Sequence, residues 1–134
     1  VRTHLVRSTA ESKKMIRALA REKMKGRQKL SGPLEVRISA NYPCTKKRYR
    51  KKNPATSRFK VTGPDIDNIA KHYMDGLLAS GIVADDDNQV VCLLATKIEL
   101  GQYMKPHTTI HIEEIPPEHL QDLVLYHLNL ARRR

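Results

Sequence analysis

Apolar and polar residues alternate along the chain with two different periods, one typical of helices and one typical of strands. Apolar residues recur at helical spacing over residues 9–25 and stop at Gly26, which predicts a helix with a glycine at its C-terminal end. Residues 34–40 alternate strictly between apolar and polar, which predicts a half-buried strand.

The second half of the chain also predicts helices and strands. An apolar stripe at i, i+3, i+4 and i+7 starts at Ile66 and predicts a helix that ends near Gly81. Residues 90–94 are almost continuously apolar, which predicts a strand in the middle of a sheet. Residues 108–113 predict a second strand, after a turn.

A last helix is predicted over residues 117–134, opened by two prolines and closed by three arginines, where positive charge suits the helix dipole. We expect Leu120, Leu123, Val124 and Leu128 to face inward. The element order αβαββα predicts one small α+β domain over residues 1–134, with a mixed β-sheet and flanking helices.

The composition limits the class of protein. The 134 residues contain no apolar run near the roughly 18–20 residues of a membrane span, and no signal peptide is apparent. The two cysteines have no CxxC spacing, so neither a disulfide framework nor a zinc cluster is expected. We therefore expect a cytoplasmic protein without a membrane partner.

Positive charge is concentrated in the first half of the chain. Residues 1–60 carry 19 basic and 3 acidic side chains, whereas residues 61–134 carry 6 basic and 11 acidic ones. Such a basic half indicates a polyanionic partner, most simply nucleic acid. Residues 44–62 show no periodicity and predict a basic loop that is mobile until it binds DNA; its candidate phosphate contacts are Lys46, Lys47, Arg48, Arg50, Lys51, Lys52, Arg58 and Lys60.

An acidic island lies inside this basic protein. Six of its 14 acidic residues fall between Asp65 and Asp87, with Lys71 as the one basic residue in that window. Asp67, Lys71 and Asp75 are four residues apart and share a helix face. A turn after the helix could bring Asp86 or Asp87 to the same point. Clustered carboxylates with few or no His or Cys nearby favour Mg²⁺ or Mn²⁺ over Zn²⁺, and such a metal beside a basic surface suits phosphodiester hydrolysis.

Each part of the island also has an ordinary explanation. Asp65 alone is a helix N-cap, and Asp67, Lys71 and Asp75 alone form a solvated face with ion pairs. The run of three aspartates alone is a solvated turn. Their co-occurrence beside a basic half favours a metal site.

The sequence around the island resembles the RusA family of Holliday junction resolvases, endodeoxyribonucleases of bacteria and their phages. The resemblance covers about residues 10–113 and is carried by PDIDNIAK at 64–71, MDGL at 74–77, GIV at 81–83 and DDDNQV at 85–90. A lysine-rich loop before the helix and Lys97 on a later strand are also similar to the family.

This resemblance implies a fold, an activity and a set of site residues. The metal-binding catalytic aspartates of the family fall on Asp65, Asp67 and either Asp87 or Asp86, with Asp87 preferred, and the helix lysine falls on Lys71. The expected protein is a homodimer that binds a four-way junction and resolves it by paired symmetric nicks with Mg²⁺, Mn²⁺ being able to substitute, in DNA recombination and repair.

Two features depart from the family pattern. The family usually begins with a strand and a proline-rich segment, whereas this sequence starts at Val1, just before the region that matches the first helix of the family. An N-terminal strand is therefore expected to be missing here. The helix over residues 117–134 lies beyond the family core and is interpreted as a packing element, with a dimer brace or a DNA contact through its final arginines as alternatives.

The alternative function is a basic protein that binds branched or duplex nucleic acid without catalysis. In such a protein Mg²⁺ only screens the phosphate contacts and weakens binding. A metal site predicts saturable Mn²⁺ binding instead.

Overall fold

A computed structural model describes residues 2–3, 9–78 and 81–132 of the chain. The described part contains three helices and five strands, in the chain order β1 (Arg2–Thr3), α1 (Thr9–Met24), β2 (Leu34–Tyr42), β3 (Arg58–Phe59), α2 (Ile66–Leu78), β4 (Val90–Glu99), β5 (His107–Glu114) and α3 (Pro117–Arg132). Short 3₁₀ turns occupy Lys46–Arg48 and Asp87–Gln89. The predicted α+β class is confirmed.

The strands form one mixed sheet in the order β1-β5-β2-β4-β3. β2 and β4 are parallel, and the other neighbouring strands are antiparallel. A parallel pair needs a crossover connection, and here the crossover carries the basic loop and α2. The topology thus places both candidate functional segments between the two longest strands.

The core lies between the sheet and the helices α1 and α2. β2 turns Leu34, Val36 and Ile38 inward with period two, and all three are almost completely buried. Ile16 of α1 is fully buried against α2. A Cβ atom added to Gly76 of α2 would lie 3.0 Å from the Cγ2 atom of Ile16. A glycine at this position lets the two helices approach closely.

The expected position of β4 in the middle of the sheet is wrong. β2 is the central strand, and β3 covers β4 only at Ile98 and Glu99. Val91, Leu93 and Leu94 are 46–59% exposed, although their sequence is almost continuously apolar. A continuous apolar run therefore does not show how completely a strand is covered.

Two further expectations need correction. The first strand is not missing, because Arg2–Thr3 pairs with Thr108 and Thr109 at the β5 edge. In α3, Leu120 and Leu123 are half-buried as expected, but Val124 and Leu128 are more than half exposed because no other described element packs along that part of the helix. The arginines at 133 and 134 lie outside the described residues.

No helix in the part of the chain that the structure describes is long and apolar enough to cross a membrane.

Candidate active site and nucleic-acid interface

Acidic and basic side chains from two segments meet in one open hollow on the surface, called the acidic hollow below. It is lined by Asp67, Ala70, Lys71, Met74 and Asp75 of α2, Asp87 and Asn88 of the following 3₁₀ turn, and Leu93 of β4. The structure thus brings Asp87 to the helix face that carries Asp67 and Lys71.

The sequence of α2 explains one wall of the hollow. Asp67, Lys71 and Asp75 are four residues apart and line up along the helix. Tyr73 and Leu77, also four apart, are buried in the core. The two sets are offset by two residues, or about 200° around the helix, so burial of the apolar set directs the charged set outward.

The geometry distinguishes the two candidate aspartates of the 85–87 run. The Asp86 carboxylate caps the 3₁₀ turn by accepting a 2.9 Å hydrogen bond from the Asn88 amide, and Gln89 Oε1 accepts a hydrogen bond from the Asp86 amide. The bond from the Asn88 amide is the main reason why the pKa of Asp86 is lowered. Asp85 pairs with Lys29 at 3.1 Å. Asp87 is the member of the run that lines the hollow.

Asp65 lies at the start of α2 but does not line the hollow. Its carbonyl oxygen accepts a hydrogen bond from the Ile69 amide, as expected for the residue before the first helical one. Within the described ranges its side chain has no hydrogen-bond or ion-pair partner, so Asp65 occupies the N-cap position without capping through its carboxylate.

Lys97 fixes the backbone immediately before Asp65. Its ammonium group donates to the carbonyl oxygens of Thr62 at 2.8 Å and Pro64 at 2.9 Å. The sequence indicated Lys97 only through the family resemblance. The structure shows that it holds the loop exit against β4 and thereby positions the start of α2.

The donors in and beside the hollow suit a hard divalent cation. Among the residues that the structure describes, no three His, Cys, Asp or Glu side chains are close enough to hold a metal ion by themselves. Mg²⁺ is commonly bound through one or two carboxylates, with water and substrate phosphate in its other positions. Asp67 and Asp87, with Asp65 two residues from Asp67, fit that kind of open site.

Ion pairing differs from the expected pattern along α2. Asp75 pairs with Lys13 of α1 at 3.7 Å, rather than with Lys71. The ammonium group of Lys71 has no partner in the described part of the chain. Lys71 is therefore free to contact an anion in the hollow.

The basic loop is held by the end of β4. The carboxylate of Glu99 is 4% exposed and accepts hydrogen bonds from Arg48 at 2.7 Å, Arg58 at 2.6 Å and the Thr45 amide at 3.3 Å. Burial opposes ionisation of Glu99, but these three donors outweigh it and lower its pKa to about 2. Donors from the basic loop thus keep the buried carboxylate of Glu99 ionised.

Gln102 and Gly101 complete this anchor. The Gln102 side chain accepts from the amides of Arg50 and Ala55 and donates to the Arg50 carbonyl. The Gly101 amide donates to Ser57 Oγ, and a Cβ at Gly101 would lie 2.8 Å from the Ala55 carbonyl oxygen. We call residues 99–102 the clasp. Sequence reasoning missed it, although an acid in an apolar strand was an available signal.

The match to a known family covers most of the chain. A family model described as endodeoxyribonuclease RusA matches residues 2–113. The chain belongs to the RusA family. A search of curated proteins finds no match.

As a RusA protein, the chain is an endodeoxyribonuclease of the Holliday junction resolvase type, and its substrate class is branched DNA. The acidic hollow, the basic loop and the clasp all fall within the matched residues, whereas α3 lies beyond them. Family membership therefore supports the predicted nuclease over the alternative of a binding protein without catalysis.

The eight loop cations predicted to bind this DNA are not equivalent. Arg48 and Arg58 pair with Glu99, and the Arg50 guanidinium donates to the carbonyls of Lys47 and Tyr49. Lys60 donates to Thr62 Oγ1. The ammonium groups that lack a partner within the described part are those of Lys46, Lys47, Lys51 and Lys52.

Proposed function

We propose that this RusA protein cuts four-way DNA junctions by paired symmetric nicks, as a homodimer that requires Mg²⁺ and accepts Mn²⁺. The observation that carries the proposal is that Asp67, Lys71 and Asp87 converge in one hollow. The loop that leads into α2 supplies the positive surface that a DNA backbone needs.

Asp67 and Asp87 would hold the metal in the hollow, with water and substrate phosphate in its other positions. Asp65, the third expected ligand, stands two residues from Asp67 outside the hollow, and Asp86 caps the turn. When bound, such an ion lowers the pKa of bound water and neutralises charge on the phosphoryl oxygens. Lys71 stands in the same hollow with a free ammonium group, so it can pair with a phosphate oxygen or orient the attacking water. Lys97 keeps Asp65 in place through the preceding backbone.

The basic loop divides into an anchored part and a contacting part. Arg48 and Arg58 serve to fix the loop on Glu99, while Lys46, Lys47, Lys51 and Lys52 are available to phosphates. We propose that residues 44–62 follow the DNA backbone beside the hollow as part of one nuclease domain, and that the protein acts in the cytoplasm, where its DNA substrate is found.

The homodimer has support from α3. Val124 and Leu128 follow half-buried Leu120 at intervals of four residues, on one side of this helix, and are 52% and 56% exposed. Helices of this length gain most of their stability from packing an apolar face. A second copy of the chain would cover that face.

Metal binding provides a test that does not depend on cutting. A Mn²⁺ titration followed by electron paramagnetic resonance should show saturable binding that Asp67→Asn or Asp87→Asn weakens at least about tenfold. Asp85→Asn is the matched control, because Asp85 belongs to the same acidic run but pairs with Lys29. Equal binding by all three variants and the wild type would refute the proposed metal site.

A further inference from the structure

A second basic surface runs along the exposed side of α1. Lys14, Arg17 and Arg21 of α1 are exposed and follow one another at intervals of three and four residues, and exposed Lys25 comes directly after the last residue of the helix. Ile16 and Ala20 of the same helix are buried in the core. Lys14, Arg17 and Arg21 therefore lie along one helix side, and together with Lys25 they are called the α1 stripe below.

The stripe has no counter-charge in the described part of the protein. Its neighbours Lys13 and Lys29 pair with Asp75 and Asp85, but none of the four stripe cations makes an ion pair or a side-chain hydrogen bond there. Glu22 is the single acidic residue between residues 12 and 29. The helix dipole favours Arg21 in the last turn of α1, but Lys14 and Arg17 lie outside that turn, and like charges four residues apart destabilise a helix. Folding alone therefore does not account for the whole stripe.

The stripe begins close to the acidic hollow and away from the basic loop. Lys13, adjacent to Lys14, reaches Asp75 in the wall of the hollow, and Ser12 is hydrogen-bonded to His72 of α2 at 2.8 Å. The loop instead joins α2 at its N-terminal end, through Asp65. Two separate basic surfaces thus adjoin the helix that carries the candidate catalytic residues.

We propose that the α1 stripe binds the sugar–phosphate backbone of a second arm of the branched DNA, while the basic loop holds the arm that is cut. This inference rests on the proposed function. At the rise of an α-helix, Lys14 and Arg21 lie about 10 Å apart along α1. That distance is close to the roughly 12 Å width of a major groove, so the long cationic side chains can contact phosphates on both sides of one groove.

The test removes two stripe charges and compares them with two others. Arg17→Gln/Arg21→Gln is matched by Lys23→Gln/Lys105→Gln, which removes equal charge from exposed lysines outside the stripe. Glutamine keeps nearly the same helix propensity, and circular dichroism verifies folding. Binding to a four-way junction and to a linear duplex of one arm's length is measured in EDTA at several salt concentrations.

Each lost phosphate contact reduces the slope of log K against log salt by about 0.9. For the stripe variant, we expect the slope of log K against log salt for junction binding to be smaller by about two. Its affinity for the junction should fall at least about tenfold, and its affinity for linear duplex should fall less. The control pair should keep the wild-type slope.

Two outcomes overturn the proposal and leave the proposed function intact. Equal losses for the stripe and control variants would show that the stripe makes no specific contact. If the stripe variant lost equal affinity for the junction and for linear duplex, the stripe would contact the arm that the loop holds. Wild-type protein that neither binds nor cuts the junction would overturn the proposed function itself.

Discussion

At the residue scale, neighbouring aspartates with the same chemistry have different duties. The carboxylate of Asp86 accepts a hydrogen bond from the Asn88 amide, whereas Asp87 lines the hollow with Asp67 and Lys71. The sequence predicted that Asp67 and Lys71 share a face, because that depends only on helical periodicity. It left Asp86 and Asp87 open, because the choice depends on the conformation of a turn.

We therefore predict that Asp87→Asn and Asp86→Asn differ in activity. Asp87→Asn should lower the rate of junction cutting at least about 100-fold, because it removes a carboxylate that would hold the metal ion. Asp86→Asn should cut within a few-fold of wild type, because asparagine caps a helical turn as well as aspartate does.

Single-turnover cutting at saturating Mg²⁺ measures both rates. The reverse ranking, with Asp86→Asn the inactive variant, would move the metal site to the capping residue. Junction binding in EDTA serves as the folding control for each variant.

At the element scale, the clasp ties the basic loop to the end of β4. Glu99 and Gln102 bond to residues 41–54 positions earlier in the chain. Periodicity reports only local structure, so the sequence predicted the loop but could not predict its anchor. The same limit explains the wrong position of β4, since an apolar strand does not reveal how long its neighbour is.

Glu99 predicts an acid-dependent loss of stability. Its folded pKa of about 2 lies below the ordinary 4.5, so ionised Glu99 stabilises the folded state above about pH 4.5. This contribution decreases as the pH falls from about 4.5 towards 2. Glu99→Gln should be less stable than wild type at pH 7, and the difference should shrink across that window.

Urea unfolding between pH 7 and 2 measures the difference, with Glu118→Gln on the exposed start of α3 as the control. Limited proteolysis at pH 7 should cut residues 45–58 faster in Glu99→Gln. A stability difference that does not change between pH 4.5 and 2 would contradict the ion-pair account.

At the scale of the whole molecule, the apolar side of α3 is the largest departure from the sequence-based expectation. The amphipathic pattern correctly predicted a helix with an apolar face. It predicted that this face packs inward, yet Val124 and Leu128 remain exposed. A pattern shows that a face needs covering, but it cannot say whether the cover comes from the same chain.

We predict that charges on this face separate the dimer without unfolding the subunit. Val124→Asp/Leu128→Asp should sediment as a monomer at micromolar concentration, with a melting temperature close to that of wild type, because burying unpaired carboxylates is costly. His119→Asp/Asn129→Asp, exposed on α3 and about 100° or more around the helix from both residues, should remain dimeric. A Val124→Asp/Leu128→Asp protein that stays dimeric would place the interface elsewhere.

The most direct test of the account is cutting of a mobile four-way junction labelled on each strand in turn. Wild type and Asp67→Asn are compared in Mg²⁺ and in EDTA, with linear duplex as the control substrate. We predict symmetric nicks in two opposing strands by wild type in Mg²⁺, with none in EDTA and none by Asp67→Asn, which should still bind the junction. Equal cutting by Asp67→Asn, or cutting that persists in EDTA, would contradict a metal-dependent catalytic centre in the acidic hollow.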